Sequence, residues 1–155
     1  VALSAYALRR APLRRLHTMS AAGQFATALS TMVAAGLPLP EALSVAGSVS
    51  GSYVFSLAAR QVRQGVERGR SISESMKGVE YFPPMLSEMI GVGESSGSLE
   101  QTLDVVGNYF NSEVETATNR LLAILEPAIT VGLAVVVVIM LLAVYLPMFT
   151  MYGSI

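Results

Sequence analysis

The chain has 155 residues, of which 52% are hydrophobic and only 14% are charged, and its formal net charge is -1. In soluble domains roughly a quarter of the residues are charged. The deficit here is uneven, because no charged residue follows Glu126, so the chain combines a charged, soluble-looking part with an apolar tail. The near-neutral charge gives no indication of nucleic-acid binding. The absence of cysteine excludes disulfides and thiolate chemistry, and a single histidine, His17, excludes a histidine-rich metal site within the chain.

The first 17 residues combine an apolar stretch with a basic one. Val1 to Leu8 is apolar, and four arginines follow it: Arg9, Arg10, Arg14 and Arg15. A secretory signal has the opposite order, with its basic region first. We therefore interpret residues 1–17 as the end of a preceding membrane helix and a basic cytoplasmic linker. The alternative is a leader with scattered arginines.

Hydrophobic residues at helical spacing predict four helices in the first half of the chain. Gly36 and Gly69 would end two of them, as glycine commonly does just after a helix. Glu41 suits the positive end of another helix, and a Ser-Ile-Ser-Glu sequence has the form of a capping box. The predicted helices are Met19 to Ala35, Glu41 to Ala46, Tyr53 to Arg68, and Ser71 to about Lys77.

Two further helices are predicted after residue 80. One starts at Phe82-Pro83-Pro84, because proline in a first turn costs no helical hydrogen bond, and it breaks at the glycine-rich run 91–98. From Leu99 the apolar positions recur at steps of three and four as far as Leu125, which is typical of a long amphipathic helix. No sustained alternation of period two occurs, so we expect an all-α bundle of about six helices and no sheet.

The segment Ala128 to Leu146 contains no charged residue and is about as long as a membrane span. A buried core helix is the alternative, but a domain of this size could not cover all of its faces. All ten Lys and Arg residues precede the segment, so the helical part should be cytoplasmic and the C-terminus outside. We assign residues 18–123 to a cytoplasmic domain, 124–149 to the transmembrane helix and 150–155 to an outer tail, with a kink at Pro127.

No constellation of side chains indicates catalysis, and we expect the chain not to be an enzyme. His17 lies among arginines and is interpreted as a solvated or interfacial side chain. Glu94, Glu100 and Asp104 surround a glycine-rich turn and could form a weak hard-cation site. The simpler interpretation is that Glu100 compensates a helix N-terminus while the other two are solvated, so no cofactor or metal is predicted.

Six short motifs in a fixed order resemble the type II secretion F-domain family. They are Gly36-Leu-Pro-Leu-Pro-Glu41, the segment beginning Gly69-Arg70, Phe82-Pro83, the Gly93-Glu94-Ser-Ser96-Gly97-Ser-Leu99 turn, Leu125-Glu126-Pro127, and Tyr145-Leu-Pro147. Each motif alone is weakly specific, but their order over residues 19–149 is highly specific. The resemblance implies the second of two six-helix cytoplasmic repeats and the last membrane helix of an inner-membrane platform protein.

The resemblance also implies a function and its partners. A platform protein of this family would couple a hexameric assembly ATPase to the polymerisation of pilins or pseudopilins in type IV pilus assembly or type II secretion. Other inner-membrane assembly proteins, self-association and the lipid bilayer are implied as further contacts. The alternative is a subunit of a membrane transporter, which would be favoured by ionisable residues within the span.

Three arginines are candidates for a partner-binding face. Arg60, Arg63 and Arg70 lie in or just after the third predicted helix, away from its apolar side. Partner surfaces combine buried anchors with polar rims. The alternative is a solvated helix face without a partner.

Overall fold

A computed structural model describes residues 2–153, with side chains described from Arg14 onward. Within that range the chain forms six helices and no strand, which confirms the predicted all-α class. The helices are Ala2–Ala34 (α1), Leu39–Val49 (α2), Tyr53–Glu67 (α3), Ile72–Lys77 (α4), Pro84–Ser96 (α5) and Leu99–Tyr152 (α6). The chain divides into two compact units, Val1–Glu115 and Thr116–Ile155.

Several helices are longer than the sequence predicts. Residues 2–17, expected to form a membrane-helix end and a linker, belong to α1, and their Ala, Leu and Arg residues are strong helix formers. Helix α2 extends to Val49 with Pro40 in its first turn. The break predicted in the run 91–98 comes only after Ser96, because the glycines there serve helix packing as well as the turn.

The core of the first unit contains a cluster of three phenylalanine rings. The Phe55 and Phe82 ring centroids are 4.8 Å apart, and those of Phe25 and Phe82 are 5.6 Å apart. All three side chains are buried and come from α1, α3 and the segment before α5. Aromatic pairs at these separations add to the stabilisation that area burial alone provides. Phe25 and Phe55 are therefore core residues, as their helical spacing predicts.

Glycines allow the helices of the first unit to approach one another closely. A Cβ atom on Gly47 of α2 would lie 2.5 Å from Ala59 Cβ on α3. A Cβ atom on Gly107 of α6 would lie 2.6 Å from Thr27 Oγ1 on α1. Because interiors are close-packed, a side chain at either position would force the two helices apart.

The second unit consists of the later part of α6. Among residues 2–153, α6 is the one helix that is long and apolar enough to cross a membrane. The 18 consecutive residues of α6 with the highest hydropathy are all exposed. The helix runs through Pro127 and Pro147. These prolines enclose about 20 residues, or about 30 Å of helix, which is the thickness of a hydrocarbon core.

Candidate functional site

Glu94 joins α5 to the start of α4. Its Oε1 accepts the backbone N–H of Ser73 at 2.8 Å, and its Oε2 accepts that of Ile72 at 3.1 Å. The Ser71 hydroxyl oxygen accepts the N–H of Glu74 at 3.2 Å, as the capping-box motif predicts. The first N–H groups of a helix have no partner within the helix. Glu94 supplies that partner from α5, so the interpretation of Glu94 as a solvated carboxylate is wrong.

Gly97 makes the turn between α5 and α6. Its φ is 70° and its ψ is 18°, a left-handed conformation in which glycine has no steric cost. The N–H groups of Gly97 and Ser98 both bond to the Gly93 carbonyl oxygen, the latter at 3.0 Å. The hydroxyl groups of Ser96 and Ser98 are 2.6 Å apart, so these two side chains hydrogen-bond to each other within the turn.

Other family-motif residues also have structural roles. Gly36 and Gly69 follow α1 and α3 with φ values of 81° and 87°, and the N–H groups after them bond five residues back, as in a Schellman motif. Phe82 is part of the aromatic cluster, and Pro83 is the N-cap of α5. Glu41 is exposed in the first turn of α2. Leu99, at the start of α6, packs against the core.

The motif residues in α6 bracket the apolar segment. Glu126 and Pro127 lie at its start, and Pro147 lies near its end. The hydroxyl of Thr130 donates to the Glu126 carbonyl oxygen at 3.1 Å, and that of Thr150 donates to the Pro147 carbonyl oxygen at 2.8 Å. A hydroxyl satisfied by its own helix can enter a membrane at little cost, because no water is needed as its partner.

The three candidate arginines have different environments. Arg63 Nε donates to Glu67 Oε1 at 2.7 Å, and a guanidinium NH₂ nitrogen of Arg63 lies 2.9 Å from the hydroxyl oxygen of Ser44 on α2. Arg63 therefore links α2 to α3 within the fold. Arg60 and Arg70 are exposed, and no ion pair joins them to another described residue. The three arginines therefore differ in their contacts within the fold, and their common role in binding a partner stays a prediction.

An exposed stripe of α3 contains Arg60 and was not recognised from the sequence. Leu57, Arg60, Gln61 and Gln64 recur at spacings of three and four and are all exposed; we call them the α3 stripe. Leu57 is 41% exposed although it is a large apolar residue. Its position in the helical period, opposite the buried Phe55, Ala58, Ala59 and Val62, is the signal that could have revealed it.

The acidic residues near the α5–α6 turn do not converge on a metal site. Glu94 bonds to backbone N–H groups, while Glu100 and Asp104 are exposed along α6. Among the described residues, no group of three His, Cys, Asp or Glu side chains is placed to hold a metal ion. His17 is exposed on α1, beside Arg14.

Comparison with known proteins identifies the family. A family model described as "Type II secretion system (T2SS), protein F" matches residues 25–147, which is most of the chain. The chain belongs to the type II secretion system protein F family. The match extends from the core residue Phe25 to Pro147, and so includes residues of both units.

Named relatives of this protein F family member come from two kinds of machine. The chain is 38% identical to "Type IV pilus assembly protein PilC" of Pseudomonas aeruginosa over 84% of its length. It is 40% identical to "Type IV pilus assembly protein TapC" of Aeromonas hydrophila over 84%, and 30% identical to "Type II secretion system protein F" of P. aeruginosa over 93%. These alignments cover 35%, 32% and 36% of the relatives, so the chain spans about a third of their length.

Proposed function

We propose that this chain is part of an inner-membrane platform that couples a cytoplasmic assembly ATPase to the polymerisation of pilins or pseudopilins. The observation that supports it most directly is that one family match includes both the helical unit and the apolar part of α6. The named relatives belong to type IV pilus assembly and type II secretion. Both machines are therefore candidates for the one that this protein serves.

The proposed topology follows from the distribution of charge. All ten Lys and Arg residues precede the apolar segment, and Arg120 is the last of them. Cytoplasmic flanks of membrane helices are enriched in basic residues. The first unit then lies in the cytoplasm, the segment from Pro127 to Pro147 crosses the inner membrane, and Phe149 and Tyr152 lie near the outer interface.

The proposed role is mechanical and requires no catalytic group in this chain. The ends of α1, α3 and α5 are fixed by glycine turns, and α4 is held by Glu94. A unit with its helix ends held in this way can transmit a displacement with little internal deformation. The energy comes from the ATPase, which docks on the cytoplasmic unit.

We place the docking surface at the α3 stripe. Protein interfaces surround an apolar contact with polar residues and are enriched in arginine, and the α3 stripe combines the exposed Leu57 with Arg60. Arg60 has no ion-pair partner among the described residues, so its charge is available to an acidic partner surface. Self-association and contacts with other inner-membrane assembly proteins would use surfaces outside this stripe.

Deletion and rescue in the protein's own host test the proposal. Deleting the gene should abolish surface filaments or secretion of the exported protein, while the cellular amounts of pilin or pseudopilin subunits stay the same. Reintroducing the full-length gene should restore output. Normal filaments and normal secretion in the deletion strain would overturn the proposal.

The transporter alternative lacks a supporting feature in the span. A transport pathway uses ionisable or unsatisfied polar groups at membrane depth. No charged residue follows Glu126, and the hydroxyl of Thr130 is satisfied by its own helix. We therefore retain the platform as the proposed function.

A further inference from the structure

A cavity of about 580 Å³ lies in the first unit between α1 and the start of α3. Arg14, His17 and Thr18 of α1 line one side, and Tyr53 at the start of α3 and Tyr81 before α5 line the other. The cavity is large enough for a small polar group of several heavy atoms, such as a phosphodiester. None of the family motifs accounts for it.

The charge lining this cavity is uncompensated. Arg14, Arg15 and His17 are exposed, and in the part of the chain with described side chains the only ion pair is that of Arg63 with Glu67. No acidic residue lines the cavity. Glu80 lines a neighbouring cavity together with Arg15 but forms no ion pair with it. The cavity therefore offers a positive charge to an anion.

The lining of the cavity also suits the boundary between water and lipid. Tyr53 is 78% exposed and Tyr81 is 53% exposed, so two amphipathic rings lie beside the basic residues. Tyrosine is enriched where one end of a side chain meets lipid and the other meets water. The N-terminus of α3, a helix of 15 residues, begins at Tyr53 and adds the partial positive charge of its first N–H groups.

The position of α1 brings this cavity close to the predicted membrane surface. Helix α1 is continuous from Ala2, and Leu8 ends the apolar stretch interpreted as the tail of a membrane helix. Arg14 follows Leu8 by about 9 Å of helix at 1.5 Å per residue. A cluster of four arginines immediately cytoplasmic to a membrane helix is the arrangement that attracts anionic headgroups.

We propose that this cavity binds the phosphodiester headgroup of an anionic phospholipid, with Arg14 contacting the phosphate and Tyr53 and Tyr81 flanking the headgroup. The inference rests on the proposed topology and on the interpretation of residues 1–17 as the end of a membrane helix and a basic cytoplasmic linker. Binding there would hold the first unit in one orientation against the bilayer. It thus assigns a lipid-binding role to residues that the platform function alone does not require.

The test measures lipid-dependent thermal stability of the full chain in dodecylmaltoside micelles. Dioctanoyl phosphatidylglycerol, dioctanoyl phosphatidylcholine and inorganic phosphate are titrated separately, and the loss of helical circular dichroism is followed on heating. A ligand that binds the folded state raises the midpoint in proportion to its affinity. Phosphatidylglycerol should raise the midpoint at concentrations where the other two have no effect.

Variants locate the binding site within the chain. Arg14→Gln should weaken the apparent affinity for phosphatidylglycerol about fivefold, as expected for the loss of one basic residue at a membrane surface. Arg68→Gln, an exposed arginine at the end of α3 with the same change of charge, should leave it unchanged. The starting midpoint of each variant reports whether its fold is intact.

Three results would overturn the inference. An equal response to phosphatidylcholine would show no preference for an anionic lipid, and an equal response to inorganic phosphate would identify a site for a soluble anion. An equal loss in Arg14→Gln and Arg68→Gln would show that overall charge, rather than this cavity, attracts the lipid. None of these depends on filament output, so failure here is distinguishable from failure of the platform function.

Discussion

Glu94 on α5 and Ser73 on α4 are joined by a hydrogen bond of 2.8 Å from the Ser73 backbone N–H to the Glu94 carboxylate. Helix α4 has only six residues, so few of its own hydrogen bonds hold it in place. Two of its first N–H groups depend on a side chain from another helix. The α4–α5 arrangement is therefore sensitive to the charge and length of residue 94.

Replacing Glu94 should destabilise the first unit. Glu94→Ala removes both acceptors from partly buried N–H groups and should lower the free energy of unfolding by about 2 kcal/mol. Glu94→Gln keeps one acceptor oxygen and should cost about half as much. Thermal melting of the full chain in micelles measures both. Glu88→Ala, at an exposed position on the same helix, is the control. If Glu88→Ala lowered the free energy of unfolding as much as Glu94→Ala does, the capping role of Glu94 would be refuted.

Gly97 provides a test of backbone conformation alone. No atom outside its immediate neighbours lies within 4 Å of a Cβ atom added at this position. A side chain there therefore causes no clash, and it destabilises the fold only because residue 97 has a positive φ. Gly97→Val should lose more than about 1 kcal/mol of stability, whereas Gly97→Asn should lose less because asparagine tolerates this conformation. Equal melting midpoints for Gly97→Val and the unmodified chain would show that the turn does not require glycine.

The topology can be tested with a reporter that is active only in the cytoplasm. Fused after Ile155 it should be silent, and inserted in the loop between α4 and α5, at the exposed Gly78, it should be active. The physical reason is the one-sided distribution of Lys and Arg around the apolar segment. Activity only at the C-terminal position would reverse the proposed orientation.

Arg60→Glu tests the α3 stripe in the full-length protein in its host. A reversed charge at a docking surface can cost several kcal/mol through repulsion, whereas on a free surface it changes stability by about 0.5 kcal/mol or less. We expect reduced filament or secretion output at an unchanged amount of protein in the membrane. Lys77→Glu, an exposed reversal on α4, should have normal output. Arg63 is unsuitable because its contacts with Glu67 and Ser44 belong to the fold.

The features predicted well from the sequence are those set by local chemistry. Phe25 and Leu29 recur at helical spacing within the first predicted helix and Val62 lies in the apolar periodicity of the third, which predicts core positions, and all three are buried. Glycine after a periodic segment marked the ends of α1 and α3, because a left-handed residue at that point is a local requirement. The run without charged residues after Glu126 predicted the apolar helix, because length and hydropathy are also properties of the local sequence.

The features missed from the sequence depend on contacts between distant residues. Glu94 was interpreted as solvated because its partners, Ile72 and Ser73, lie 22 and 21 residues away in the chain. The three arginines appeared equivalent until the contact of Arg63 with Ser44 distinguished them. Helical periodicity shows which face of a helix is exposed, but it does not show which polar side chains are already bonded within the fold.

The most direct test of the central proposal is binding between the host's purified assembly ATPase and the full chain in nanodiscs. We predict saturable binding to the unmodified chain, a loss of about tenfold or more in affinity with Arg60→Glu, and no loss with Lys77→Glu. Helical content and membrane insertion should be the same in all three proteins. The absence of binding to the well-folded, unmodified chain would contradict the proposal that this chain couples the ATPase to the membrane.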